Sequence, residues 1–114
     1  MRLRHAAAAA FGALALTVTL STSAYAADGE FGYTYIGLDG KPTTAKLIDP
    51  PSRECVTIPE VADPDASEPA FSPDNRTTST VVVFTGEDCD GAYYTLKPGG
   101  KATERLKLRS AVFS

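Results

Sequence analysis

DNRTTSTVVVFTGEDCDGAYYTL, residues 74–96, is the stretch around which the rest of the chain is predicted to fold. It contains the most β-prone run of the sequence, Thr77–Thr85, which is rich in β-branched residues. A polar turn at Gly86–Gly91 carries Cys89, and a second strand, Ala92–Leu96, follows at once. Both faces of the first strand are apolar, which predicts a central strand in a two-layer structure.

The N-terminal end is predicted to be a secretory signal peptide. A basic head, Met1–His5, precedes an apolar stretch, Ala6–Leu20, and an A-x-A cleavage site at Ala24–Ala26. The apolar stretch is short for a membrane span, and no lipobox cysteine precedes the predicted cut. We therefore expect residues 1–26 to be removed and residues 27–114 to form one secreted, extracellular domain.

The remaining chain is acidic. Fourteen acidic and nine basic residues lie within residues 27–114, which gives a net charge of −5. Nucleic acid and anionic membranes are therefore poor partners. The only histidine and the only methionine fall within the predicted signal peptide. The rest of the chain thus lacks the side chains for Ser/His or Cys/His catalysis and for a histidine-ligated metal site.

The two cysteines, Cys55 and Cys89, are predicted to form one disulfide. An exported domain of this size buries a modest core and benefits from a covalent link. Closing a loop of this length stabilises by about 3–4 kcal/mol on the chain-entropy model. Two free reactive thiols are the alternative.

Turn signals divide the other segments into short strands. Asp28–Ile36 alternates aromatic residues with small or polar ones, and the following Asp-Gly predicts a hairpin to Thr43–Ile48. Glu54–Ile58 is a third strand. Near the C-terminus, Glu104–Arg109 alternates, with Arg109 outward, and Ala111–Phe113 is the last strand. No helical period occurs, so the sequence predicts an all-β sandwich or barrel with two layers.

The predicted core consists of the apolar residues on the inward faces of these strands. They are Phe31, Tyr33, Tyr35, Leu47, Val56, Ile58, Val81, Val83, Leu96, Leu106, Leu108 and Val112. Between the strands, Pro59–Pro73 is predicted to be a long acidic loop, which is uncommon in compact domains unless it is functional or mobile.

Residues 74–112 resemble a Greek key of the βγ-crystallin family. That key opens with an aromatic residue, four residues, a second aromatic, one residue and a glycine, and Phe84–Gly91 fits with Cys89 in place of the second aromatic. It closes in a strand that carries a serine, as Leu108–Val112 does. The resemblance implies a two-sheet, βγ-crystallin-like double Greek key. Small exported bacterial proteins of this fold include metalloproteinase inhibitors.

The resemblance also implies a calcium site, because Asp74–Ser79 is similar to the calcium signature of that fold. The implied ligands are Asp74 or Asn75, the Arg76 carbonyl and the Thr78 hydroxyl. The cooperating motif would be Arg105–Ser110, which has bases in place of acids and Arg109 in place of the hydroxyl ligand. We therefore expect calcium binding to be single, weak or absent, and no other cofactor. A turn held by strand hydroxyls is the alternative interpretation.

Two further motifs have simpler interpretations. The acidic turn at Glu87, Asp88 and Asp90 could hold a general acid and base. An exposed hairpin tip does not separate two pKa values, so turn chemistry is favoured. Asn75–Thr77 forms a glycosylation-type sequon, which we attribute to chance.

The function expected first is a non-enzymatic binding or inhibitory module that presents the Pro59–Pro73 loop, or the Gly86–Gly91 tip, to an extracellular protein such as a protease. The binding residues of the loop would be Glu60, Asp63, Asp65 and Glu68. A structural or stress-protective exported protein with a weak calcium site is the second function, and a small hydrolase the third. We predict a monomer and no enzyme.

Overall fold

A computed structural model describes residues 26–114, so all of the predicted signal peptide except Ala26 lies outside the described residues. Within them the chain forms two four-stranded antiparallel sheets, which confirms the predicted mostly β, two-layer architecture. The strands are β1 (Gly29–Ile36), β2 (Pro42–Ile48), β3 (Cys55–Thr57), β4 (Ala70–Thr77), β5 (Val81–Phe84), β6 (Tyr93–Leu96), β7 (Lys107–Leu108) and β8 (Ser110–Phe113). Short 3₁₀ turns occupy Pro59–Val61 and Glu87–Cys89.

The two sheets exchange one strand each. Sheet 1 has the order β2-β1-β4-β7, and sheet 2 has the order β3-β8-β5-β6. Each sheet therefore contains the first, second and fourth strands of one half of the chain and the third strand of the other half. In each half the fourth strand lies beside the first, as β4 pairs with β1 and β8 pairs with β5.

The β1–β2 hairpin forms as the sequence predicts. Its register places Phe31 opposite Leu47. At the tip, the Gly37 N–H donates a hydrogen bond to the Lys41 carbonyl (2.9 Å). Gly40 has a φ of +79°, a conformation that favours glycine. The Asp-Gly pair therefore forms the hairpin turn that the sequence predicts.

The core lies between the sheets and contains most of the residues predicted for it. Phe31 of sheet 1 meets Phe113 of sheet 2 edge-to-face, with ring centroids 5.4 Å apart. Fully buried side chains of the predicted set are Phe31, Ile58, Val81, Val83 and Leu108. Val112 is a wrong prediction, because Ala111 and Phe113 take the inward face of β8, and Val112, on the other face with Ser110, is only half-buried.

The predicted boundaries around residue 74 are also wrong. β4 contains the end of the predicted loop Pro59–Pro73 and also Thr77, the first residue of the predicted strand Thr77–Thr85. The next strand, β5, begins only at Val81. Prolines disfavour a central strand. Here a register shift in the β1–β4 ladder and a φ of +52° at Ser72 form an irregularity that admits the buried Pro73.

The predicted strand Glu104–Arg109 is reduced to the two residues of β7. The chain leaves sheet 1 after Leu108 and enters sheet 2 at Ser110. The crossing interrupts the alternation of inward and outward side chains, so a pattern continued across it assigns the wrong side to Arg109.

The predicted disulfide between Cys55 and Cys89 is present, with Cα atoms 5.9 Å apart. It joins β3, a strand of the first half, to the turn between β5 and β6 of the second half. Ser110 supports the same turn, since its hydroxyl donates to the Gly86 carbonyl (2.6 Å) and accepts from the Cys89 N–H (2.8 Å). The turn is therefore held at two points.

Candidate binding site

The acidic loop between β3 and β4, residues 59–69, is folded on its own backbone. Val61 is buried and anchors its first turn. The Asp63 carbonyl accepts hydrogen bonds from the Ser67 N–H (3.1 Å) and hydroxyl (3.0 Å). The Asp63 carboxylate accepts one from the Asp65 N–H (2.9 Å), a turn that aspartate commonly forms. The loop is therefore an ordered turn structure.

Arg109 fixes this loop from the side of the core, which corrects its predicted outward orientation. Its side chain is buried. The guanidinium donates to the carbonyl oxygens of Val61 (2.9 Å) and Ser67 (2.7 Å), and to the Ser67 hydroxyl at 3.4 Å. Among the described residues no carboxylate is ion-paired with it. A buried cation that is satisfied by backbone carbonyls holds two distant points of the loop together.

Tyr33 holds the start of the loop from the core face of β1. Its ring is buried, and its hydroxyl donates a 2.6 Å hydrogen bond to the Glu60 carboxylate. Burial of the phenol, the hydrogen bond and the negative charge of Glu60 together raise the pKa of Tyr33 well above its ordinary value. The phenol therefore stays protonated and continues to donate over the whole neutral range.

The tip of the β1–β2 hairpin presents apolar side chains beside the loop. Leu38 is fully exposed, and Ile36 is partly exposed. The tip is closed by a hydrogen bond from the Lys41 N–H to the Asp39 carboxylate (3.0 Å). Because the hairpin is closed in this way, Leu38 projects from an ordered turn. A partner surface that covers Leu38 would remove its apolar side chain from water, which is favourable.

An open groove of about 1260 Å³ separates the hairpin tip from the loop. It is lined by apolar groups and carboxylates and by no basic residue. The carboxylates are those of Asp39, Glu60, Asp63, Asp65 and Glu68. The apolar groups include Tyr35, Ile36, Leu38, Pro59 and Ala62. The four loop acids predicted as binding residues therefore line one surface, which we call the hairpin–loop groove.

A second, smaller groove of about 500 Å³ runs along sheet 1. Its charged side chains neutralise one another. Lys46 pairs with Glu30, and Arg76 pairs with Asp74, each at 3.1 Å. Exposed pairs of this kind leave little net charge for a ligand. The hairpin–loop groove is the better candidate, because its carboxylates are not balanced in this way.

The side chains of the residues predicted as calcium ligands are engaged in other contacts. Asp74 and Asn75 are neighbours in β4, so their side chains point to opposite faces. Asp74 is ion-paired with Arg76, and the Thr78 hydroxyl accepts from the Asp28 N–H (3.3 Å). The described residues contain no group of three His, Cys, Asp or Glu side chains that could hold a metal ion. Calcium binding itself stays a prediction.

Asn75 instead connects strands from inside the protein. It is fully buried, and its amide donates to the carbonyls of Ser79 (2.8 Å), Leu96 (3.1 Å) and Lys97 (3.2 Å). Its own oxygen accepts from the Thr77 N–H and hydroxyl. A side chain engaged in this way is inaccessible to glycosylation, so the sequon at Asn75–Thr77 is structural in this fold.

The acidic turn between β5 and β6 is shaped by a hydrogen bond to Asp90 and by positive φ angles. The Asp90 carboxylate accepts from the Gly91 N–H (2.8 Å), and Asp88 adopts a positive φ, as aspartate in turns often does. Gly91 has a φ of +90°, and a Cβ there would lie 2.5 Å from the Thr85 hydroxyl oxygen. These contacts fit the interpretation of the segment as a turn.

Sequence reasoning missed two residues of the site. Leu38 is an apolar residue inside a turn cluster, and that position is itself the signal that could have identified it. Arg109 could have been identified from its position directly before the serine of the predicted closing strand. A change of sheet at this point interrupts the alternation of inward and outward side chains.

Among residues 26–114 there is no helix long and apolar enough to cross a membrane. Comparison with protein-family models, with curated proteins and with solved structures gave no match.

Proposed function

We propose that this chain is a secreted, non-enzymatic binding module, similar to a protease inhibitor, that holds an extracellular protein in the hairpin–loop groove. The observation that carries the proposal is the fully exposed Leu38 on a closed hairpin, opposite a loop fixed by Arg109. Ordered segments lose less conformational entropy on binding than mobile ones, so both sides of the groove are prepared for a partner.

The proposal includes a βγ-crystallin-like double Greek key as the scaffold. The return of the fourth strand beside the first in each half supports it, since this neighbour relation belongs to the Greek key. The contact of Ser110 with the β5–β6 turn also supports it, because the resemblance gives that serine a place in the closing strand. As scaffold, such a sandwich leaves the hairpin tip and the loop beyond its anchor Val61 outside the core.

The chemistry of the groove favours binding over catalysis. Its charged groups are carboxylates, and the chain has no histidine after residue 26. Burial and Glu60 raise the pKa of Tyr33, which opposes proton release by its phenol. A small hydrolase would have to use carboxylates as both acid and base, so binding is the function we propose.

The test is inhibition and binding by the mature protein, residues 27–114, against a panel of secreted metalloproteases and serine proteases. We expect at least one enzyme to be bound and inhibited. Leu38→Ser should weaken that binding by about ten- to a hundredfold, the cost of losing a buried leucine contact. Ile48→Ser is the matched control, because Ile48 is an exposed apolar residue outside the groove.

Two results would overturn the proposal. One is the absence of binding to every protein in the panel. The other is a bound enzyme for which Leu38→Ser and Ile48→Ser have the same effect on affinity, because the groove would then not be the contact surface.

A further inference from the structure

We infer that the occupant of the hairpin–loop groove is an extended, cationic segment of the partner protein, with lysine or arginine facing the loop and an apolar side chain on Leu38. This inference rests on the proposed function and adds the chemistry of the partner. It is drawn from the apolar wall of the groove and from the uncompensated negative charge of the opposite wall.

The apolar wall is supplied by the hairpin. Tyr35, Ile36 and Leu38 line the groove along one side, and Leu38 is fully exposed. An apolar strip of this kind, bordered by polar groups, is typical of a surface that another chain covers. It calls for an apolar side chain in the partner at the level of Leu38.

The opposite wall is supplied by the loop and is negative. Glu60 is already engaged by Tyr33, and Asp63 by the Asp65 N–H. Within residues 26–114 the carboxylates of Asp65 and Glu68 make no hydrogen bond or ion pair. They face the same groove as Leu38. The complementary partner therefore carries basic groups beside its apolar residue.

The loop cannot relieve this charge by rearranging. Arg109 holds the carbonyls at both ends of the loop, at Val61 and Ser67. Among the described residues no base lines the groove, and Lys41 of the hairpin tip is absent from its lining. A net charge of −5 over residues 27–114 adds long-range attraction for a cation. The uncompensated charge is thus fixed in place next to the apolar strip.

The experiment uses two synthetic peptides that alternate leucine with lysine or leucine with glutamate, each carrying a fluorophore. Binding to the mature protein is measured by fluorescence anisotropy at several salt concentrations. We expect the lysine peptide to bind, its affinity to fall as salt rises, and the glutamate peptide not to bind. Asp65→Asn with Glu68→Gln should weaken binding about three- to tenfold, as two exposed ion pairs would predict.

The matched control is Glu54→Gln with Glu104→Gln, which removes the same charge at exposed positions outside the groove. If both double variants weaken binding equally, the lysine peptide is attracted by net charge alone and the inference is overturned. Binding of the glutamate peptide with equal affinity also overturns it.

The same variants separate this inference from the proposed function. An enzyme from the protease panel whose binding is lost with Leu38→Ser, but is insensitive to Asp65→Asn with Glu68→Gln, would leave the binding module intact and refute the cationic partner. Loss of binding with both sets of substitutions supports the two together.

Discussion

Asn75 shows how one buried side chain can join distant segments of the chain. Its amide donates to the Ser79 carbonyl, in the connection after β4, and to the Leu96 carbonyl, at the end of β6. In the sequence it resembled a metal ligand, because carboxamide and carboxylate oxygens next to hydroxyl residues suit calcium equally well. A metal ligand must be accessible, whereas the structural Asn75 is buried. Its burial depends on contacts with residues about twenty positions away in the sequence.

Asn75→Ala should lower the free energy of unfolding by about 2–4 kcal/mol, because it leaves several buried carbonyl oxygens without donors. Chemical denaturation followed by circular dichroism measures this change. Asn75→Asp keeps the size of the side chain but removes the donors, so it should be at least as destabilising at neutral pH. A loss below about 0.5 kcal/mol in both variants would contradict the structural role.

Calcium should have little effect on this protein. The side chains of Asp74 and Asn75 point to opposite faces of β4, and Asp74 is ion-paired with Arg76. We expect the melting temperature in excess calcium to agree with that in chelator to within about 1 °C, since only a bound ligand stabilises by mass action. A rise of many degrees would restore the calcium motif as a working site.

Tyr33 should make stability depend on pH in the alkaline range. An exposed tyrosine has a pKa of about 10, and burial beside Glu60 raises the pKa of Tyr33 in the folded state. Below about pH 10 both states keep the proton, and the contribution is fully present. Above it the unfolded state releases the proton first, so the free energy of unfolding falls by up to about 1.4 kcal/mol per pH unit.

Denaturant unfolding at a series of alkaline pH values tests this dependence. Tyr33→Phe should lower stability at neutral pH by about 1 kcal/mol, through loss of the Glu60 hydrogen bond, and should flatten the alkaline slope. Tyr94→Phe is the control, because Tyr94 is largely exposed and should leave the slope unchanged. An identical slope in the Tyr33 variant would show that its phenol is not the responsible group.

At the scale of elements, hairpins were predictable and the connections between sheets were not. The Asp-Gly turn and the alternation of Phe31 with Tyr33 are local signals, and both gave the right structure. β4 was missed because Pro73 is a poor residue for a central strand, and the irregularity that admits it needs β1 as a partner. Arg109 was placed outward because a change of sheet is not visible in a periodic pattern.

The short strand β3 should depend on the disulfide. It has three residues and a single neighbour, β8, and Cys55 ties it to the turn at Cys89. Replacing both cysteines by alanine should lower the free energy of unfolding by about 2–5 kcal/mol. For a domain of this size, that corresponds to a loss of about 10 °C or more in melting temperature.

Reductant provides the control for this experiment. It should lower the melting temperature of the natural protein and have no effect on the double variant. A natural protein whose melting curve is the same with and without reductant would show that the bond contributes nothing to stability.

For the whole molecule, the strand exchange couples the two halves. Removing β7 from sheet 1 exposes the edge of β4 and takes the buried Leu108 out of the core, and removing β3 from sheet 2 exposes the edge of β8. We expect one cooperative thermal transition, with the calorimetric enthalpy equal to the van't Hoff enthalpy. Two resolved transitions would mean that the halves unfold as separate units. The layers and the disulfide were predictable from the sequence, but this exchange was not, since strand order depends on contacts between distant segments.

The way Arg109 holds the acidic loop has a consequence for protein engineering. Its guanidinium contacts the backbone carbonyl oxygens of Val61 and Ser67 and one hydroxyl, and these carbonyls remain whatever side chains the residues between them carry. The loop is therefore a replaceable cassette. We expect new side chains between Ala62 and Ala66 to change what the protein recognises while its melting temperature stays nearly constant, as in a scaffold whose contact surface and folding determinants are separate.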